Sequence, residues 1–177
     1  DLGAAPVLIG HSMGGFVVQK YLERHAVPAA VLMCSVPPQG LVAAQFSMLF
    51  EKPGLMVEIN NLLAGGSVSL DVLRDALFAQ DVSQDTLRRY YRLMQPESQR
   101  AIWDMSMFSL PNLHAMRRPP LLVLGAEKDV LMPAFLVQST AHTYGVPDTI
   151  FRGMGHGVML EKDWQHVAEK IRDWLAE

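Results

Sequence analysis

The stretch VLIGHSMGGF, residues 7–16, constrains this chain more than any other. A short apolar run ends on Gly10, a single serine follows at position 12, and Gly14 stands two residues later. After it, GGFVVQKYLERH places Phe16, Val17, Lys20, Tyr21 and Arg24 at helical spacing, with Val17, Tyr21 and Leu22 expected on the inner face. The order is therefore strand, very tight turn, helix. A turn sharp enough to lift Ser12 Oγ clear of a sheet forces Ser12 into a strained backbone conformation. Residues two positions away must then be small, so Gly10 and Gly14 are expected where a Cβ would collide. The plainer reading of the same letters is a glycine-rich turn in which Ser12 caps the helix.

Three further apolar runs share the character of the first. AAVLMCSV (29–36) is stopped by Pro37 and Pro38, PPLLVLGAEKD spans 119–129, and DTIFRGM spans 148–154. Each is apolar throughout rather than alternating, as strands buried on both faces are. Helical segments follow at 133–144 and 161–177, the latter with Trp164, Val167, Ala168, Ile171 and Leu175 at i, i+3, i+4, i+7 spacing. Strands alternating with helices predict an α/β fold, a parallel sheet of about four strands with flanking helices. The pattern is interrupted over residues 39–115, where it becomes helical. One helix is expected from Pro53, with Leu55, Ile59, Leu62 and Leu63 on one face and a stop at Gly65. Others open on Ser69 and Ser83 as N-caps, the second carrying Leu87, Tyr90, Tyr91 and Met94, and a further one starts at Pro96. The expected organisation is a core of 1–38 and 116–177 with a helical insertion, 39–115, over the carboxyl ends of the strands.

Composition excludes several classes. Fifteen basic against 18 acidic residues give a net charge of −3 with no basic run, so no nucleic-acid partner is implied. No apolar stretch is long enough to span a bilayer, so no stable membrane insertion is expected. The single cysteine, Cys34, reads as a small buried hydrophobe. No cysteine–histidine spacing indicates a metal, and no phosphate-loop or dinucleotide motif occurs; no cofactor is expected.

A serine needs a base within reach and a third group to orient that base. Asp129 lies just past the third apolar run, where open α/β sheets gather functional groups. His156 sits among Gly153, Gly155 and Gly157, just past the fourth. Ser12, Asp129 and His156 thus fall on loops along one rim of one sheet. Glu127 is the nearest rival acid, and CSVPPQG after the second strand offers no carboxylate. His11, His25, His114, His142 and His166 lack a glycine-flanked setting and are read as solvated or structural. Met13, next after the serine, would offer a backbone N–H at a helix start.

GHSMGG, GAEKDVLMP and GMGHGVMLEKDW resemble the nucleophile elbow, acid loop and histidine loop of the α/β-hydrolase fold family, over residues 1–38 and 118–177. The resemblance implies a catalytic triad of Ser12, His156 and Asp129, with the Met13 N–H in the oxyanion hole and a helical cap over the site. It implies a small-molecule carboxylic ester as substrate, with an apolar acyl or alcohol part. Acyl transfer, C–C hydrolysis, perhydrolysis and thioester cleavage use the same triad, and a non-catalytic binding module is the rival from another class. The family places several strands before the elbow, whereas this chain begins at Asp1. A missing amino-terminal segment of roughly 80–110 residues, or a partner chain, is therefore expected. With it would come the second oxyanion donor, whose loss costs about 3–4 kcal/mol of barrier. A cytoplasmic location is expected, no leader segment being visible.

Overall fold

The computed structural model describes residues 2–63, 66–95 and 97–177. Four strands, β1 (Leu8–His11), β2 (Ala30–Met33), β3 (Leu121–Ala126) and β4 (Asp148–Phe151), form one parallel sheet in the order β1-β2-β3-β4. The register aligns Gly10 with Leu32 and Leu32 with Val123, so the strands end along a common rim. All four residues of β2 are buried, the burial that a run lacking alternation predicts.

Side-chain alternation divides the core into two layers. Val31, Met33, Leu122 and Leu124 point to one face and meet Met154, Val158 and Val167, the last on α8 (Trp164–Leu175). Ala30, Leu32 and Val123 point to the other and meet α1 (Met13–Leu22) through Val18 and Leu22. On the same face they meet α7 (Ala134–Tyr144) through Val137 and Ala141. Helices on both faces of a parallel sheet are the expected α/β arrangement. At its outer edge β1 pairs with no other strand among the described residues, and Ile9 is 51% exposed there.

The segment between β2 and β3 is helical: α2 (Val42–Glu51), α3 (Pro53–Leu63), α4 (Leu70–Leu77), α5 (Gln84–Leu93) and α6 (Gln99–Trp103), the last running into a π-helical turn, Asp104–Phe108. Ser69 and Ser83 cap α4 and α5 as expected, each oxygen accepting a backbone N–H three residues on. Ser98 caps α6 in the same way. The expected stop at Gly65 and start at Pro96, and the side chains of Leu62 and Leu63, lie outside the described residues. Phe16, Val36, Ala44, Met105, Met132 and Leu136 form a third cluster that fastens this segment to the sheet beside the elbow. No helix among the described residues is long and apolar enough to cross a membrane.

The expected inner face of α1 is displaced. Phe16, Val18, Gln19 and Leu22 are buried, whereas Val17 and Tyr21 are 56% and 42% exposed. The cause lies at the helix start. Gly15 packs so tightly on Ser35 that a Cβ there would lie 2.3 Å from Ser35 Oγ. That contact sets the rotation of the whole helix, turning the polar Gln19 inward. Gln19 Nε2 donates to Ser35 Oγ and Val36 O, and its Oε1 accepts from Tyr144 OH, so no buried polar atom is stranded.

Candidate active site

Ser12 sits between β1 and α1 at φ 54°, one of two non-glycine residues with positive φ among those described. It stands at the N-cap position of α1 yet its side chain makes no cap hydrogen bond, so the plain capping role does not hold. Ser12 instead lines a cavity of about 120 Å³. Gly10 has the steric role expected of it: a Cβ there would lie 2.5 Å from the carbonyl oxygen of Gly14. Gly14 does not, because its own Cβ would point into open space. The residue that must be small on the helix side is Gly15. Met13 is the first residue of α1, so its N–H has no partner within the helix and faces the same turn.

Asp129 and His156 are brought together. Both are buried, and His156 Nδ1–H donates to Asp129 Oδ2 over 2.8 Å. The other carboxylate oxygen, Oδ1, accepts the N–H groups of Leu131 and Met132, which fixes the plane of the carboxylate. Glu127, the rival acid, is exposed and accepts instead from the Gly153 N–H, bracing the histidine loop from outside. Among the described residues no hydrogen bond joins Ser12 Oγ to His156.

What does link the serine's neighbourhood to the histidine is His11. Its Nε2–H donates to the backbone carbonyl of His156 over 2.8 Å, and the two rings lie 4.6 Å apart, tilted by 51°. Burial, and then the neighbouring His156, lower the His11 pKa from 6.5 to about 4. It is therefore neutral at pH 7 and places no charge beside the His156 ring. The sequence reading of His11 as solvated or structural misses this contact with His156; its place beside Ser12 at the end of β1 is the available signal. Cys34, at φ 44° past the end of β2, completes the surroundings. Burial and then the Asp129 carboxylate push its thiol well above the ordinary value, so it stays protonated.

The ligand atoms of His11, Cys34 and His156 lie within 4.8 Å of one another, a donor set able to hold a soft divalent metal. Spacing along the chain could not reveal it, because the three come from different connections. His11 and His156 already have hydrogen-bond partners in the protein, and the thiol lies against Asp129.

The cavity beside Ser12 is almost wholly apolar. Met13, Leu131 and Met132 supply its floor, and Met48, Met56, Ile59 and Ile102 come from the helical segment, with Gln45 and Asn60 as polar exceptions. Among the large apolar residues of that segment, Met48 and Met56 line the cavity and Met105 is core. Phe46, Leu49, Phe50, Met107 and Phe108 are exposed.

Residues 1–169 match the model of the Alpha/beta hydrolase family. No curated protein matches the chain at a significant level. Among solved structures, a lipase candidate from Acinetobacter baumannii AYE superposes with a TM-score of 0.69 at 16% identity, over 97% of this chain and 61% of that one. An esterase from Exiguobacterium antarcticum gives 0.67 at 18%, over 98% and 68%, and a bromoperoxidase from Bacillus anthracis 0.69 at 21%, over 99% and 69%. The chain thus spans about three fifths to two thirds of the length of these structures, and at such identities the likeness is one of fold. With residues 1–169 of its 177 matched by the family model, the chain belongs to the alpha/beta hydrolase family.

Proposed function

We propose that this protein is a serine hydrolase cleaving carboxylic esters with an apolar acyl or alcohol group, and that the helical segment over the site is its cap. The buried Asp129–His156 pair, held against His11 beside Ser12 at an apolar cavity, carries this reading. With Nδ1–H committed to Asp129, His156 keeps Nε2 free to take the proton of Ser12 Oγ, which attacks the carbonyl carbon. The Met13 N–H and the positive end of α1 stabilise the oxyanion. Collapse of the tetrahedral intermediate passes the proton from His156 to the leaving alcohol and leaves an acyl-serine. Water, deprotonated in turn by His156, then releases the acid. Asp129 holds the imidazole in the tautomer this requires.

The test is hydrolysis of p-nitrophenyl esters by the protein and its Ser12→Ala variant. The variant should lose about 10⁴- to 10⁶-fold in kcat while remaining folded. Equal turnover by both would refute the reading.

A further inference from the structure

Glu161, on the histidine loop, is with Asp129 one of two buried carboxylates among the described residues, only 1% exposed, and no ion pair reaches it there. Its partners are three backbone N–H groups. Oε1 accepts from Ala79 and from Gly155, each at 2.7 Å, and Oε2 accepts from Gln80 at 3.2 Å. Gly155 immediately precedes His156, whereas Ala79 and Gln80 lie just after α4 in the cap. A further bond crosses the same boundary on the other side of the histidine, where the Gly157 N–H donates to Leu77 O at 2.7 Å. The two glycines are small for this reason. A Cβ on Gly155 would lie 2.9 Å from Ala79 N and from Leu77 O, and one on Gly157 3.0 Å from Leu77 O. His156 is thus flanked by two tethered peptide groups: the Gly157 N–H bonds directly to Leu77, and the Gly155 N–H is tied to Ala79 and Gln80 through Glu161.

We propose that Glu161 is a positioning residue that ties the cap base, residues 77–80, to the His156 loop, so that the placement of the base depends on the seating of the cap. The proposal rests on His156 being the general base of the serine-hydrolase reading. The two oxygens of the Glu161 carboxyl group together accept all three N–H bonds and bridge two segments 75 to 82 residues apart in sequence. Cap helices α2 and α3 also wall the cavity beside Ser12, so an acyl group that settles the cap steadies His156 through the same clamp.

The test uses Glu161→Gln, which keeps one acceptor but turns an amide donor toward a backbone N–H. Ala79→Pro deletes one of the three donors from the cap side, after a Phe78 whose ψ of 138° suits a following proline. Two readouts are compared with the parent protein: the rate of fluorophosphonate labelling of Ser12, and the NMR resonance of the His156 Nδ1–H. In folded variants we expect labelling to slow roughly 10- to 100-fold, the penalty of a displaced catalytic group, and the resonance to shift or broaden. A folded Glu161→Gln protein with parental labelling and an unmoved resonance would overturn the proposal; should it not fold, Ala79→Pro decides on the same readouts. If the parent itself is not labelled, the serine-hydrolase reading fails, and the resonance alone still judges whether Glu161 positions His156.

Discussion

Holding Ser12 at φ 54° costs on the order of 1–3 kcal/mol, and the small residues around the turn are what allow it. They do so unequally. Gly10→Ala drives a Cβ to 2.5 Å from a backbone oxygen and Gly15→Ala drives one to 2.5 Å from Ser35 Cβ, so each should destabilise the protein by about 1–3 kcal/mol in denaturant titration. Gly14→Ala meets nothing and replaces a helical glycine, so it should stabilise by about 0.5–1 kcal/mol. The G-x-S-x-G pattern names the first of these glycines correctly and misassigns the steric demand of the second, because only the packing of α1 on β2 singles out Gly15. His11 makes a second residue-level prediction. The unfolded chain takes up its proton near pH 6.5, the folded one only near pH 4. Stability contributed by neutral His11 is thus fully present above pH 6.5 and is lost as the pH falls from about 6.5 to about 4. The loss is at most about 1.4 kcal/mol per pH unit, and it should be absent from unfolding curves of His11→Asn.

At the scale of elements, apolar runs and capping serines were legible and helix rotation was not. The four strands announce themselves as short runs without alternation, and Ser69 and Ser83 mark their helices because an orphan N–H attracts an oxygen. The rotation of α1 was hidden, since it depends on Gly15 meeting Ser35 and on a buried glutamine that no hydrophobic pattern selects. The π-helical turn at Asp104–Phe108 was hidden too, being a local widening that leaves the apolar spacing nearly unchanged. That turn brings the Met105 carbonyl to the Leu41 N–H and so helps fix where α2 begins. From α2 and α3 come Met48 and Met56, two walls of the cavity. Met56→Trp should fill part of that space. Comparison of kcat/KM for hexanoate and acetate esters should then show the preference for the longer acyl group reduced by about tenfold, as for lost methylene contacts.

For the molecule as a whole, the triad candidates could be named from sequence because an open parallel sheet delivers three loop ends to one rim. What holds them there could not, because His11 and Glu161 act through backbone groups of segments distant in the chain. The fold brings Asp129 and His156 into contact and sets Ser12 beside the cavity, leaving its hydroxyl without a hydrogen bond from its own helix. Reactivity of that hydroxyl is the central claim, and labelling with a fluorophosphonate followed by mass mapping of the modified peptide tests it most directly. A single adduct on Ser12, abolished in a folded His156→Ala variant, is the predicted result. A folded protein that takes up no probe, or carries it on another residue, would contradict the account.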